Sequence, residues 1–257
     1  MSGPARVAAV VITHGPHPDL DACLGALAGQ VDELVVVANL PDPLGPLPSG
    51  TTVVANPRPL GFAANANRGV AATSAPYVVV ANPDAVAEPG AVATLAAFLA
   101  EHPRAGVVGP EMRYPDGTWQ PSRRRFPTVS GTVVRRTPLR RILRQAPSQR
   151  AHYHLDDRPQ VPVEADWLLG GFLCLRRAML DELGGFDEGY RLYCEDIDLG
   201  YVARRAGWER WYVPSAVVVH RYAAVIDKRF LSVRNWWHLR GMLRFVRKHP
   251  RQLLAWR

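Results

Sequence analysis

The sequence has few cysteines, no long hydrophobic run and no internal repeat. Only three of its 257 residues are cysteines, namely Cys23, Cys174 and Cys194, and their wide spacing excludes a disulfide framework or a zinc-binding cluster. Its apolar runs are far shorter than the roughly 20 residues that a membrane-spanning helix needs. The first residues, "MSGPARVAAVVIT", lack the plan of a secretory signal peptide. These absences predict a cytoplasmic protein with buried, unreactive thiols.

Positive charge is concentrated in two segments of the chain. Residues 121–150 contain nine Lys/Arg and no acid, and residues 227–257 contain nine Lys/Arg and one acid, whereas the rest of the chain is net acidic. Such segments suit a phosphate-bearing partner, which could be nucleic acid, anionic lipid or a diphosphate substrate. Nucleic acid is disfavoured because the bases are segregated from the acidic core and match no recognised binding motif.

Apolar, β-branched runs alternate with helical patterns through the first 112 residues. The predicted strands are 7–13, 33–39, 51–56, 77–84 and 105–112, the first three buried, and the predicted helices are 19–28, 63–72 and 89–101. This order predicts a doubly wound α/β domain with its ligand at the carboxyl ends of the strands. Residues 114–165 interrupt the pattern and are predicted to form a long functional loop. A strand and a short helix follow within 166–186.

Three carboxylates stand within four positions in "CEDIDLG", residues 194–200. Acids favour the first turn of a helix, and Gly207 is a suitable stop for a helix that begins here. At about 100° per residue, Asp196 and Asp198 point to nearly opposite sides, whereas Glu195 and Asp198 lie close together. One site can therefore recruit Asp196, or Glu195 with Asp198. From these residues alone, helix capping and catalysis are equally good explanations.

Polar residues also follow the predicted strands. "VVVANPDA" places Asn82 and Asp84 at a strand end, where they suit either an Asx turn or a divalent cation. "VPSAVVVH" ends in His220, which alone is more often structural but with Asp84 fits a metal site beside a base. The stretch "PLGFAANANRG" supplies a glycine, amides and a planar cation that suit a ligand: Gly61, Asn65 and Arg68.

Six stretches in this order resemble family 2 glycosyltransferases of the GT-A fold, and most closely their bacterial rhamnosyltransferase-like branch. They are "VVIT", "PLGFAANANRG", "VVVANPDA", "DWLLGGFLCLRR", "GGFDEGYRLYCEDIDLGYVARRAGW" and "VPSAVVVH". The resemblance extends over residues 7–249, ending with "RNWWHLRGMLRFVRKHP". It implies an α/β GT-A catalytic domain with a mostly parallel central sheet over 1–225, in which 114–165 is an acceptor-side excursion. A basic amphipathic helical segment over 226–257 follows.

The resemblance implies roles for individual residues. Asp196 matches the catalytic base, with Glu195 and Asp198 supporting the turn or the acceptor pocket. Asp84 and His220 match ligands of Mg²⁺ or Mn²⁺. Asp166 and Trp167 match the acceptor side, and the residues implied along the nucleotide sugar are Thr13, Gly61, Asn65, Arg68, Asn82 and Asp84.

The implied reaction is inverting transfer of a sugar, rhamnose being favoured, to a hydroxyl of a lipid-linked or cell-envelope glycan. A dTDP-sugar is the favoured donor, and UDP- and GDP-sugars are alternatives. Two departures affect the nucleotide side: Ala38 stands where the family usually has Asp, so a carboxylate meets the nucleotide base only if Asp42 substitutes, and "THGPHP" replaces the usual Thr-Tyr-Asn. A non-catalytic nucleotide-sugar-binding module is therefore kept as the alternative.

The C-terminal segment has two stripes at helical spacing. Trp236, Leu239, Leu243 and Val246 form the apolar stripe, and Arg240, Arg244, Arg247 and Arg251 form the basic one. Such a helix either lies on an anionic membrane surface or packs its apolar stripe on the domain. The first interpretation predicts peripheral association with the inner face of the plasma membrane.

Overall fold

Apolar β-branched stretches form the strands around which the rest of the chain packs. The computed structural model describes residues 6–127, 147–221 and 233–250. The strands are β1 (Val7–Thr13), β2 (Glu33–Ala38), β3 (Thr52–Ala55), β4 (Tyr77–Ala81), β5 (Ala85–Ala87), β6 (Ala105–Arg113), β7 (Trp119–Gln120), β8 (Arg123–Arg124), β9 (Val163–Glu164), β10 (Trp167–Leu168), β11 (Phe172–Arg176) and β12 (Glu209–His220). The helices are α1 (Leu20–Ala28), α2 (Phe62–Ala71), α3 (Ala91–Glu101), α4 (Pro147–Tyr153), α5 (Arg177–Leu183), α6 (Glu195–Arg205) and α7 (Val233–Lys248).

One large sheet has the strand order β3-β2-β1-β4-β11-β6-β12-β5. The pairs of β1 with β2 and β4, of β2 with β3, and of β6 with β12 are parallel, whereas β11 and β5 run antiparallel to their neighbours. The chain leaves β1 towards β2 and β3, then returns to place β4 on the other side. Such a switch point opens a crevice at the carboxyl ends of the strands, which is the predicted place for a ligand.

Both faces of the sheet are covered, which explains the unbroken apolar runs. Alternate residues of β1 point to opposite faces: Val7, Ala9 and Val11 pack with α1 and α3, and Ala8, Val10 and Ile12 pack with α2 and α5. All three cysteines are buried and outside disulfide bonds, as predicted. Burial raises the pKa of Cys23 and Cys174 to about 12, so both are thiols at neutral pH.

The predicted α/β order is confirmed, with two corrections. The stretch predicted as a third buried strand, 51–56, is largely exposed in β3 because it forms the edge of the sheet. The strand predicted over 77–84 ends at Ala81, since Asn82 begins a turn in which its carbonyl accepts from Ala85 N at 3.2 Å. The short strand β5 then follows and pairs with the end of β12.

The excursion predicted over 114–165 contains short elements where the structure describes it. Strand β8 pairs with β10 to form a second, two-stranded sheet beside α6. The arginine cluster within 135–144 and the predicted boundary at 225/226 lie outside the described residues. The division into a domain over 1–225 and a segment over 226–257 therefore stays a prediction.

Helix α7 has a buried inner face and an exposed outer face. Gly241, Phe245 and His249, spaced four residues apart, face inward. The prediction that the apolar stripe packs on the domain is wrong, because Trp236, Leu239 and Leu243 are 61%, 54% and 46% exposed. In the parts of the chain that the structure describes, no helix is both long and apolar enough to cross a membrane.

Candidate active site

Asp196 lies in the first turn of α6, and its carboxylate accepts two backbone hydrogen bonds. Gly170 N donates to Oδ2 at 3.1 Å, and Ile197 N donates to Oδ1 at 2.9 Å. A Cβ at Gly170 would stand only 3.3 Å from the Cβ of Asp196, so a glycine is needed for this close approach. Hydrogen bonds and the helix dipole both favour the ionised carboxylate. Asp196 is thereby held in one orientation at the start of the helix.

Glu195 and Asp196 form a buried pair of unequal carboxyl groups. Burial, followed by the charge of Asp196, raises the pKa of Glu195 to about 8. Among the described residues, Glu195 Oε2 has no hydrogen-bond partner. Burial also raises the pKa of Asp196, against the hydrogen bonds from Gly170 and Ile197. Burial favours the neutral form of both carboxyl groups, and the two backbone hydrogen bonds favour the negative charge on Asp196 over Glu195, which suits Asp196 to accept a proton.

Asp198 points to the opposite side of α6, as its position on the helix predicts. Its carboxylate accepts from Tyr190 Oη at 3.0 Å and lies 2.7 Å from both Lys248 Nζ and His249 Nε2. The last two residues belong to the end of α7 and the position after it. Asp198 is thus engaged with the C-terminal helix, and its predicted support of the acceptor pocket stays a prediction.

Asp84 and His220 meet where β5 pairs with the end of β12. His220 Nε2 lies 3.4 Å from Asp84 Oδ1, and Nδ1 lies 2.9 Å from Gln120 Oε1. We assign the Nδ1 proton to the bond with Gln120, so Nε2 faces Asp84; without a cation Nε2–H donates to Asp84, and a bound cation would take the place of that proton. Burial alone would raise the pKa of Asp84, but the hydrogen bond and charge of His220 outweigh it and the pKa is lowered. Asp84 is therefore a carboxylate at neutral pH.

This pair fits a hard divalent cation only as part of a larger coordination shell. Within 6–127, 147–221 and 233–250, no three His, Cys, Asp or Glu side chains come together as a preformed metal centre. Mg²⁺ typically takes one or two protein carboxylates and completes its shell with water and phosphate oxygens, and manganese accepts the same oxygens together with imidazole. The chemistry of Asp84 and His220 is therefore compatible with a metal that is completed by a diphosphate.

Two consecutive glycines lie between the two halves of the site. Gly170 contacts Asp196, and a Cβ at Gly171 would stand 3.1 Å from Cε1 and Nε2 of the His220 ring. The carbonyl of Gly171 also accepts from Asn82 N at 2.9 Å. Asp196 and the Asp84–His220 pair therefore flank one dipeptide, immediately before β11 in the middle of the sheet.

A buried asparagine network lies at the ends of β2 and β3, on the predicted nucleotide side. Asn56 Nδ2 donates to Asn39 Oδ1 at 2.8 Å and to Asn65 Oδ1 at 2.5 Å, and Asn39 Oδ1 also accepts from Leu60 N at 2.8 Å. Asn65, predicted to bind the nucleotide, is fully buried within this network. Sequence analysis missed Asn39 and Asn56, although both follow a Val-Ala strand end as Asn82 does.

The remaining residues predicted to bind the nucleotide lie at different distances from the carboxyl ends of the strands. Thr13 is buried at the end of β1, where its hydroxyl donates to Gly15 O at 2.5 Å. Gly61 is the N-cap of α2, whereas the exposed Arg68 lies about 10 Å further along that helix at a rise of 1.5 Å per residue. A Cβ at Gly15 would stand 2.9 Å from Asp42 Oδ2, so the carboxylate of Asp42 lies next to the turn that follows β1.

Asp166 and Trp167 hold the small sheet of β8 and β10 against α6. Asp166 Oδ2 accepts from Phe126 N at 2.9 Å, and Trp167 Nε1 donates to Arg125 O at 2.8 Å. A Cβ at Gly200 would stand 2.7 Å from that of Trp167, so α6 approaches β10 closely at this glycine. Trp167 is buried. Asp166 also lines a cleft of about 250 Å³ together with Arg125, His154, Glu164, Ala165, Arg204 and Arg210.

Comparison with known proteins identifies the family. Residues 11–240 match the family model described as "Glycosyltransferase like family 2". The chain belongs to glycosyltransferase family 2. Two solved structures share its fold: GalNAc-T7 with UDP, GalNAc and Mn²⁺ (TM-score 0.67, 15% identity, 96% of this chain and 48% of that chain), and the mannosyltransferase PcManGT of Pyrobaculum calidifontis with GDP-Man and Mn²⁺ (TM-score 0.62, 18% identity, 96% and 65%). The predicted GT-A fold is confirmed.

The curated relatives of this glycosyltransferase are named as rhamnosyltransferases. The N-acetylglucosaminyl-diphospho-decaprenol L-rhamnosyltransferase of Mycobacterium tuberculosis is 40% identical over 158 residues, 57% of this chain and 47% of the relative. The rhamnosyltransferase WbbL of Escherichia coli is 38% identical over 81 residues, 32% of this chain and 30% of the relative. The chain spans about half the length of the Mycobacterium relative that it matches. The predicted rhamnosyltransferase-like branch is confirmed.

Proposed function

We propose that this glycosyltransferase moves a sugar from a nucleoside diphosphate to an acceptor hydroxyl with inversion at the anomeric carbon, and that Asp196 is the base. The observation that carries the proposal is the dipeptide Gly170–Gly171, with Asp196 on one side and His220 on the other. An oriented base and a group that suits a diphosphate are thus separated by one short piece of backbone. A direct displacement requires both within reach of one bound sugar.

The proposed reaction is a single displacement. The acceptor hydroxyl gives its proton to Asp196 while its oxygen forms a bond to the anomeric carbon. The bond from that carbon to the phosphate oxygen breaks, and the nucleoside diphosphate leaves with the electron pair. Burial favours the neutral form of Glu195, so it adds little competing negative charge beside Asp196, which accepts the proton in a site where burial has raised its pKa.

We infer that Asp84 and His220 hold Mg²⁺ or Mn²⁺. Such an ion supplies charge that offsets the negative charge of the departing diphosphate. Gln120 orients the ring of His220 by accepting a hydrogen bond from His220 Nδ1, as the partners of metal-binding histidines commonly do. The Mn²⁺ named with both solved neighbours supports a divalent cation, and the choice between the two metals belongs to experiment.

We infer a dTDP-sugar, with rhamnose favoured, as the donor, because both curated relatives are named as rhamnosyltransferases. UDP- and GDP-sugars, the nucleotides named with the solved neighbours, are the alternatives. The Mycobacterium relative is named for a diphosphate-linked lipid acceptor, which supports a lipid-linked glycan here.

A lipid-linked acceptor requires the enzyme to work at a membrane surface, and the outer face of α7 suits that task. Trp236, Leu239 and Leu243 are exposed on it, with the exposed Arg240 and Arg247 along one flank. Apolar side chains beside arginines favour insertion into an anionic interface. We therefore propose peripheral attachment to the inner face of the plasma membrane through this outer face.

The decisive experiment incubates the protein with dTDP-rhamnose, UDP-sugars or GDP-sugars and a diphosphate-linked N-acetylglucosamine lipid in detergent, with Mn²⁺ or with EDTA. Release of nucleoside diphosphate and the mass of the product are measured. Metal-dependent transfer, lost in Asp196→Asn, supports the proposal. Donor binding without transfer or hydrolysis in every combination would instead support a non-catalytic binding module.

A further inference from the structure

The chain between α5 and α6 contacts the donor side of the site. We call residues 187–194 the connecting segment. The carbonyl of Arg191, within it, accepts from Phe62 N at the start of α2 at 2.9 Å. A Cβ at Gly61 would stand 2.8 Å from both Cα and O of Arg191. The connecting segment is therefore packed against the nucleotide-side loop before it reaches the catalytic helix.

The connecting segment ends in an unfavourable backbone conformation immediately before the base. Tyr193 and Cys194 have φ of 69° and 73°, in the left-handed region that residues with a side chain rarely adopt. Cys194 is the N-cap of α6, so this turn sets the direction in which the helix starts and Asp196 projects. Two adjacent residues of this kind persist only when their surroundings hold them there.

Helix α7 supplies those surroundings through its inner face. A Cβ at Gly241 would stand 3.0 Å from Tyr193 O and 3.2 Å from Cys194 Sγ. The rings of Tyr193 and His238 have centroids 5.6 Å apart. A larger residue at position 241 would therefore push α7 away from the turn.

Ion pairs fasten the same inner face to both sides of the turn. Lys248 Nζ lies 2.7 Å from Asp187 Oδ2 at the start of the connecting segment and 2.7 Å from Asp198 Oδ2 on α6. Arg244 also contacts Asp187, at 2.8 Å. One ammonium group thus joins Asp187, at the start of the connecting segment, to Asp198, two positions after Asp196.

We propose that Lys248 is a positioning residue for Asp196. It clamps the connecting segment and α6 together, so that the left-handed turn keeps the base in line with the bound donor. The proposal rests on the proposed role of Asp196. It assigns α7 two independent tasks, since the inner face positions the base and the outer face meets the membrane.

The test compares Lys248→Met with Lys248→Arg and with Arg205→Met, whose side chain is exposed in the last turn of α6. The acceptor is a short-chain analogue in detergent without vesicles, so membrane attachment does not contribute. We expect Lys248→Met to lower kcat about tenfold or more with little change in donor KM, and Lys248→Arg to recover most of that loss. Arg205→Met should match the wild type.

Two further measurements keep the proposal open to refutation. Gly241→Ala, a milder change, should lower kcat in the same direction even if Lys248→Met folds poorly. Amide exchange over 190–198 should accelerate in Lys248→Met but not in Arg205→Met, whether or not turnover is observed. A Lys248→Met enzyme with wild-type kcat and unchanged exchange would overturn the proposal. An inactive wild type with the expected exchange would instead count against the proposed function alone.

Discussion

The two sides of α6 hold their carboxylates in different ways, although Asp196 and Asp198 both lie in the first turn of the helix. On one side Asp196 accepts backbone hydrogen bonds from Gly170 and Ile197, and the charge of Arg124 lies near enough to favour its ionised form. On the other side Asp198 is surrounded by the side chains of Tyr190, Lys248 and His249. A carboxylate that is engaged by cations and a phenol from another helix serves to hold helices together, whereas one that is oriented by backbone hydrogen bonds is suited to accept a proton.

The largest effect is expected on the catalytic side, at Asp84. Asp84→Ala removes a carboxylate that would hold the cation, so donor binding should lose its dependence on metal and transfer should fall by at least about a hundredfold. Isothermal titration of the donor nucleotide with Mn²⁺ and with EDTA measures the first effect. Unchanged turnover of the wild type in EDTA would contradict the metal assignment.

On the side of α6 that contacts α7, which we call the docking side, Asp198→Asn should lower the stability of the protein more than its activity. The change leaves His249 and part of Lys248 without their buried anion, and breaking a buried ion pair costs about 3–5 kcal/mol. Because Lys248 still pairs with Asp187, we expect the free energy of unfolding to fall by about 3 kcal/mol or less, which urea unfolding measures. Asp181→Asn, on the exposed side of α5, is the control and should change stability by less than about 0.5 kcal/mol.

Acid should weaken the docking side through Asp187. Burial alone would raise the pKa of Asp187, but hydrogen bonds from Lys248 and Arg244 outweigh it and lower the pKa to about 2. A carboxylate with a lowered pKa contributes stability above its unfolded pKa, about 3.9, and loses it as the pH falls through 2. The stability difference between wild type and Asp187→Asn should therefore shrink from pH 4 to pH 2. A constant difference over that range would disagree.

The smallest effect per residue is expected on the outer face of α7. Arg240→Glu with Arg247→Glu should weaken binding to phosphatidylglycerol vesicles, since each near-surface arginine contributes about 1 kcal/mol. Arg244 is left intact because it pairs with Asp187. The control is Arg58→Glu, an exposed arginine in the loop after β3. Equal sedimentation of both variants with anionic vesicles would leave the outer face without a membrane role.

Much of the fold could be predicted from the sequence because the sheet is covered on both faces. Runs such as "VAAVVIT" have to be buried strands, and β1 has the predicted bounds. Edge position cannot be read from a single run, which is why "TTVVAN" was predicted to be buried. The sequence left open whether the apolar stripe of α7 packs on the domain, because Gly241 and His249, which do face inward, do not belong to an apolar pattern.

The candidate site was predictable where a residue follows a strand or opens a helix. Asp84, His220 and Asp196 fall at such ends, and helical geometry alone separates Asp196 from Asp198. Partners from distant parts of the chain could not be predicted, because nothing local links Lys248 to Asp198 or Gly170 to Asp196. The asparagine network was missed for the same reason, since its members lie on three separate elements.

The rate of transfer by Asp196→Asn beside Glu195→Gln tests the central claim most directly. An amide cannot accept the proton, so Asp196→Asn should lose about 10²–10⁴-fold in kcat while it still binds the donor nucleotide. Burial favours the neutral form of Glu195, so the neutral Gln should retain kcat within about tenfold. An Asp196→Asn enzyme that retains kcat within about tenfold, or a Glu195→Gln enzyme that loses more than Asp196→Asn, would contradict the assignment of Asp196 as the base.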